Sequence, residues 1–170
     1  MEFFEVVKNR YSCKKFGGRA VEKEKLDRVL EAGRLAPTAK NAQPQKITVV
    51  TSENLLIALD KCTPCRYGAP VVIAVAYDKN NVYTYPGGKY NAGAEDATIV
   101  ATHMMLAAYD VGLDSCWLNC FDPDETAKAL NLPDDEQLVM LLDVGYAADG
   151  AGPLENHSKR KPLEATVKYM

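Results

Sequence analysis

Arg10-Tyr11-Ser12-Cys13-Lys14-Lys15-Phe16 is the most informative stretch of this chain. It follows a short apolar run at residues 3–7 that is typical of a helix. If the stretch is extended, Arg10, Ser12 and Lys14 point to one side, because side chains alternate along a strand. A planar guanidinium, a hydroxyl and an ammonium on one side suit a phosphate. A solvated basic turn after a helix is the alternative, and this stretch alone does not separate the two.

A second informative pattern follows the next predicted helix. Apolar residues at helical spacing predict this helix over residues 22–35, and Pro37 ends it. The chain continues as Leu35-Ala36-Pro37-Thr38-Ala39-Lys40-Asn41-Ala42-Gln43-Pro44-Gln45 before a short apolar run at 47–50. Two further patterns lie downstream: Gly112-Leu113-Asp114-Ser115-Cys116-Trp117-Leu118-Asn119-Cys120-Phe121 and Lys159-Arg160-Lys161-Pro162-Leu163-Glu164.

These four stretches, taken in order from residue 10 to 164, resemble the nitroreductase family of FMN-dependent oxidoreductases. Each stretch is short, whereas four of them in the family's order indicate the family, though not a substrate. The resemblance implies an α+β nitroreductase-like fold, in which helices flank a central and mostly antiparallel sheet. It also implies a homodimer with FMN at the subunit interface.

The same resemblance implies a reaction. FMN would take electrons from NADH or NADPH and pass them, by a ping-pong mechanism, to a nitroaromatic, quinone or related small-molecule acceptor. The sequence contains no recognisable nucleophile–base pair, and an oxidoreductase needs none where a cofactor carries the chemistry. We therefore expect no catalytic side chain, with flavin N5 as the reacting atom. No motif identifies the acceptor or distinguishes NADH from NADPH.

The resemblance further implies which residues contact FMN. The segment from Arg10 to Lys14 would hold the phosphate and the ribityl chain, and the basic tail would add positive charge. The loop after Pro37 would approach the isoalloxazine from the second subunit, while the backbone from Leu118 to Cys120 would flank the ring, with the Cys120 N–H donating to N5. The complete expected set is Arg10, Tyr11, Ser12, Lys14, Pro37, Thr38, Ala39, Asn41, Leu118, Asn119, Cys120, Arg160 and Lys161.

Three departures from the family pattern affect the expected pocket. Family members often have Gly or Glu-Gly where Asn119-Cys120 stand, and an aromatic residue where Gln45 follows Pro44. A side chain at Cys120 narrows the space beside N5, and the polar Asn119 and Gln45 change the fit of substrates. The chain is also short between Pro70 and the next long helix, which predicts an open site.

That long helix is predicted over residues 92–112, and its apolar and small residues cover most of its circumference. A helix that is apolar nearly all round requires burial from two sides. It therefore forms either a subunit interface or the central helix of the core. The other predicted elements are strands at 47–51, 70–77, 113–121 and 137–146, helices at 52–60 and from Asp122 onward, and a loop at 82–91.

Composition limits the class of protein. A chain of 170 residues is expected to form a single domain, 1–170, whose polar, basic tail at 150–170 contributes to the flavin site or the dimer. The formal net charge of -3 argues against general nucleic-acid binding. No apolar run is long enough to cross a bilayer. The N-terminus does not resemble a signal peptide, so a cytoplasmic location is the default expectation.

The five cysteines are an odd number, which argues against a complete disulfide framework. Cys62-Thr63-Pro64-Cys65 has the spacing of a redox dithiol or of half a zinc site, for which Cys116 and Cys120 could supply the other half. Against a thioredoxin-like dithiol, the motif follows a predicted helix instead of opening one. Cys116 lies in an apolar run, which argues against zinc. Free thiols and no metal site are therefore the expected state.

Two other functions are compatible with the sequence. The chain could bind FMN for storage or sensing with little turnover, or it could be a thiol oxidoreductase that uses Cys62 and Cys65. Steady-state oxidation of NAD(P)H with an acceptor separates the first from the enzyme. A thiol titration and a disulfide reductase assay on the apoprotein test the second.

Overall fold

The computed structural model describes all residues from Met1 to Met170. It contains five α-helices and four β-strands. The helices are α1 (Phe3–Asn9), α2 (Lys23–Arg34), α3 (Glu53–Leu59), α4 (Gly93–Asp110) and α5 (Pro123–Ala129), and the strands are β1 (Gln45–Val50), β2 (Val71–Asp78), β3 (Asp114–Leu118) and β4 (Glu136–Gly145). None of the helices has the length and apolarity that crossing a bilayer would require.

The four strands form one sheet in the order β1-β2-β4-β3, and every neighbouring pair is antiparallel. This confirms the α+β class and the antiparallel sheet. The two central strands are buried on both faces, which explains why β2 is a continuous apolar run instead of an alternating one. The predicted strand at 113–121 is too long, because pairing with β4 ends at Leu118.

Helices cover both faces of the sheet. On the first face, α2 and α4 pack against β2 and β4 through an apolar cluster that includes Val29, Met104, Ile73 and Leu142. We call this the helical face. Gly33 allows the close approach of α2 to α4, because a Cβ there would lie 2.8 Å from the Cγ atom of Met104. The second face packs against α3, α5 and the segment after α1, and we call it the thiol face because Cys13 and Cys116 are buried in it.

Helix α4 is a core helix. Its inner side, including Val100 and Met104, is fully buried between α2 and the sheet. Its outer side is only partly covered: Met105 and Leu106 are half-buried and Ile99 is exposed. The core interpretation of the apolar sequence is therefore confirmed for one side. The interface interpretation stays a prediction for the other side.

Short-range sequence signals determine where several helices and loops begin or end. The Asp122 carboxylate caps α5 by accepting hydrogen bonds from the main-chain N–H groups of Asp124 and Glu125, each at 3.0 Å, as the Asp-Pro sequence predicts. The predicted loop at 82–91 contains only an isolated bridge between Thr84 and Asn91. The tail from 150 onward forms one short 3-10 turn at Leu163–Ala165 and is otherwise largely exposed.

Candidate functional site

The basic segment after α1 is extended and lies beside β3, which favours the first of the two interpretations of this stretch. Ser12 forms a parallel bridge with Ser115, and the Cys13 N–H donates to the Ser115 carbonyl oxygen at 2.9 Å. Cys13 is fully buried whereas Lys14 is exposed, so successive side chains do face opposite ways. Tyr11 is half-buried, and its pKa is raised by burial and by the nearby Asp114 carboxylate.

Arg10 lies close to a second guanidinium from the tail. Burial lowers the pKa of Arg10, and the positive charge of Arg160 lowers it further. The Arg10 Nη1 atom lies 3.6 Å from the Met105 sulfur, and Arg160 donates to the carbonyl oxygens of His157 and Lys159. Two cations that approach each other without a neutralising partner make a favourable site for an anion.

None of the four basic residues predicted to bind the cofactor forms an ion pair with a carboxylate. The seven ion pairs of the structure all involve other cations. The ammonium of Lys14 lies 5.8 Å from the centre of the Tyr67 ring, and its charge also acts on Cys116. Lys161 is exposed in the tail. The positive charge of Arg10, Lys14, Arg160 and Lys161 is thus not neutralised within the chain.

An open groove of about 630 Å³ lies between the end of α1 and the tail. Its lining includes Tyr11, His157 and Arg160. The volume lies in the range of small-molecule sites, which is roughly 300–1,000 Å³. The end of α1, Tyr11 and the tail therefore border a space of the size that a cofactor requires, although Arg10, Ser12 and Lys14 do not line it.

The end of β3 presents main chain to solvent next to this segment. Leu118 is buried and is the last residue of β3, whereas Asn119 and Cys120 are exposed. The Asn119 side-chain oxygen accepts a hydrogen bond from the Trp117 indole at 2.9 Å. The Cys120 carbonyl oxygen accepts one from the Thr63 hydroxyl at 2.6 Å. The Cys120 N–H donates to no group within the chain.

The loop after α2 is strained. Lys40, Asn41 and Gln43 all have positive φ angles, between 51° and 54°, although none is glycine. Such strain costs on the order of 1–3 kcal/mol at each residue and concentrates at functional sites. The loop is held by a hydrogen bond from the Ala39 N–H to the buried Asp96 carboxylate at 2.8 Å, and by another from the Gln43 N–H to the Thr38 hydroxyl at 3.0 Å.

The structure brings some of the predicted residues together and leaves others apart. Arg10, Ser12 and Lys14 share a segment that runs along β3 toward Cys120, and Arg160 is near Arg10. The loop from Pro37 to Asn41 lies elsewhere: its Ala39 borders a groove of about 690 Å³ along α4. This groove shares no lining residue with the one between α1 and the tail. Within one chain, the predicted site therefore consists of two separate parts.

Two features of the site were not predicted from the sequence. One is Asp96, whose second carboxylate oxygen is buried without a hydrogen-bond partner. A carboxylate among the small residues of a long apolar helix was the available signal. The other is Thr63, which joins the loop 62–65 to Cys120 across 57 positions of sequence. No local pattern could have indicated that contact. No three His, Cys, Asp or Glu side chains are grouped closely enough to hold a metal ion.

Comparison with known proteins decides the family. The family profile described as "Nitroreductase family" matches residues 7–65 and 60–146, which is most of the chain. The chain belongs to the nitroreductase family. This membership confirms the family inferred from the sequence, with three of the four stretches inside the matched residues, and it places the chain among the oxidoreductase enzymes.

Individual relatives match over nearly the whole length. The crystal structure of a nitroreductase family protein from Clostridium difficile 630 superposes with a TM-score of 0.93 at 39% identity, covering 99% of this chain and 98% of that one. An FMN-dependent nitroreductase from C. difficile R20291 superposes with a TM-score of 0.80 at 26% identity, covering 98% of each chain. A protein named as a candidate NADH dehydrogenase/NAD(P)H nitroreductase from Methanothermobacter thermautotrophicus is 26% identical over 161 residues, covering 89% of this chain and 81% of its own length.

Proposed function

We propose that this nitroreductase-family chain is an FMN-dependent enzyme that passes electrons from NAD(P)H to nitroaromatic, quinone or related acceptors. The observation that carries the proposal is a set of cations without carboxylate partners, namely Arg10 and Lys14 in the segment beside β3 and Arg160 in the tail. The names of two similar proteins, one FMN-dependent and one an NAD(P)H nitroreductase candidate, support the choice of cofactor and donor.

The residues present fit FMN by their chemistry. Arg10 offers a planar fork to a phosphate, Ser12 a hydroxyl and Lys14 a point charge, while Arg160 and Lys161 add charge from the tail. The exposed Cys120 N–H is a main-chain donor that nothing in the chain occupies. When bound, FMN would supply the hydride-transfer chemistry, for which the chain has no side chain of its own. The chain's own part is to bind the phosphate, orient the ring beside β3 and place donors where negative charge develops.

The proposal includes a homodimer. Several large apolar side chains are exposed on one chain, among them Phe4 at 80% and Tyr169 at 88% of their full area. The outer side of α4 is also incompletely covered. A second copy would cover these surfaces, and it would bring the loop from Pro37 to Asn41 to a site whose other part lies on the first subunit. Sedimentation should give twice the mass of one chain. A stable monomer that retains FMN would contradict this arrangement.

The proposed function is tested by the absorption spectrum of the purified protein and by turnover. We expect flavin bands, release of FMN and not FAD on denaturation, and steady-state oxidation of NAD(P)H that depends on an added acceptor. A protein that binds FMN but does not turn over would favour storage or sensing. A colourless protein that cannot be reconstituted with FMN would exclude the proposal.

A further inference from the structure

The loop Cys62-Thr63-Pro64-Cys65 is fixed against the turn that follows β3. The Thr63 hydroxyl, which is buried, donates to the Cys120 carbonyl oxygen at 2.6 Å and accepts from the Cys65 N–H at 3.0 Å. The Asp122 N–H donates to the Cys62 carbonyl oxygen at 3.1 Å. One hydroxyl therefore joins the main chain of Cys65 directly to that of Cys120.

The Cys65 thiol also affects the ionisation of two neighbouring side chains, Cys120 and Tyr67. Hydrogen bonding with the Cys65 side chain is the largest cause that raises the pKa of Cys120, and the same is true of the pKa of Tyr67. Cys120 is exposed and Cys65 is partly exposed, so a small reagent can reach both thiols. Both are free in this structure.

The other cysteines are directed elsewhere. The Cys62 thiol lies 3.6 Å from the Ala58 carbonyl oxygen of α3, so it faces back along that helix and not toward Cys65. Cys13 and Cys116 are buried in the thiol face. Their thiols approach the carbonyl oxygens of Lys15 and Trp117, respectively. The sequence spacing of Cys62 and Cys65 thus suggests one pair, whereas the fold joins the main chains of Cys65 and Cys120 through Thr63.

We propose that Cys65 and Cys120 form a reversible disulfide by exchange with low-molecular-weight disulfides. The thiolate of one cysteine attacks the small disulfide, forms a mixed disulfide and releases one small thiol. The other cysteine then attacks the protein sulfur of the mixed disulfide and releases the second small thiol. Two cysteine thiols are oxidised to one disulfide, one small disulfide is reduced to two thiols, and the two cysteine protons end on those thiols. This exchange is a reaction separate from the proposed flavin activity and does not depend on it, although Cys120 belongs to both sites.

Glutathione disulfide is the probe for the test, added to the purified, fully reduced protein before an acid quench. Trypsin places Cys65 and Cys120 in different peptides. Cys62 and Cys65 share the peptide 62–66, whereas Cys116 and Cys120 share the peptide 90–128. We expect the intact protein to lose two hydrogens and the two peptides to become linked. Dithiothreitol should reverse both changes. A disulfide inside peptide 62–66, or a stable glutathione adduct without any link, would overturn the proposal.

Single substitutions identify which two cysteine sulfurs form the disulfide. Cys120→Ser should abolish the link and leave a glutathione adduct on Cys65, and Cys65→Ser should abolish the link in the same way. Cys62→Ser is the matched control, since it changes the other cysteine of the same loop, and it should form the link as the wild type does. A link that persists in the Cys120→Ser protein would mean that Cys116 reacts instead, which would also overturn the proposal.

Discussion

Leu142 and Asp143 are neighbours in β4, both are fully buried, and they face opposite sides of the sheet. Leu142 lies in the apolar cluster of the helical face. On the thiol face, neither carboxylate oxygen of Asp143 has a hydrogen-bond partner. One face is thus a conventional apolar core, whereas the other contains a carboxyl group and thiols beneath the proposed site. The two faces should therefore respond to different perturbations, the thiol face to pH and the helical face to lost volume.

The largest expected effect is the pH dependence caused by Asp143. Burial raises its pKa from the ordinary 3.8 to about 8; the charge of Arg66 opposes this shift, while Cys65 and Asp60 reinforce it. Between these two pH values the folded chain keeps a proton that the unfolded chain has released. The free energy of unfolding should therefore fall as pH rises, by roughly 1.4 kcal/mol per pH unit. Urea unfolding across this pH range measures the slope.

Asp143→Asn tests the assignment, because an amide has a similar shape and does not titrate. Its free energy of unfolding should change much less between pH 4 and 8 than that of the wild type. Asp149→Asn, at an exposed turn, is the control and should keep the wild-type slope. If the wild type and Asp143→Asn show the same slope, the carboxyl group is ionised in the folded protein and the contrast between the faces is wrong.

Asp143 also shows which features of the fold could be predicted from the sequence and which could not. An aspartate inside the apolar run of 138–144 was visible as an exception, and the strand itself was predicted. The burial of Asp143 was not predicted, because it depends on α3, the loop 62–65 and β3, which are distant in sequence. The strand at 70–77 and the Asp122 cap were predicted because each depends on adjacent residues. The contact between Thr63 and Cys120 spans 57 positions and has no local signal.

The second prediction concerns the helical face. Leu142→Ala removes a fully buried side chain packed among residues of α2 and α4, and it should lower the free energy of unfolding by about 2–5 kcal/mol. Its effect should be the same at pH 5 and pH 8, in contrast to that of Asp143. Gln137→Ala, an exposed position of the same strand, should change stability by less than about 0.5 kcal/mol. An equal loss in both variants would mean that the effect comes from the strand and not from the buried face.

The third prediction concerns the affinity for FMN instead of the stability of the fold. Arg10→Ala removes a charge-assisted contact worth about 1.5–3 kcal/mol, so the affinity for FMN should fall roughly ten- to hundredfold. Arg10→Lys should recover only part of this loss, because the planar fork is absent. Arg34→Ala, at an exposed arginine of α2, is the control and should leave affinity unchanged. Titration of the folded apoprotein with FMN measures all three. Unchanged affinity in Arg10→Ala would remove Arg10 from the proposed site.

The smallest expected effect lies at the edge of the thiol face, where α5 begins after Cys120. The Asp122 carboxylate caps two N–H groups of this helix, so Asp122→Ala should cost about 1 kcal/mol of unfolding free energy. Asp122→Asn should retain most of the stability, because an amide oxygen also accepts these hydrogen bonds. FMN affinity should not change in either variant, since the cap faces α5 and not the basic segment. A loss of affinity in Asp122→Ala that Asp122→Asn restores would mean instead that the start of α5 fixes the main chain of Cys120 for binding.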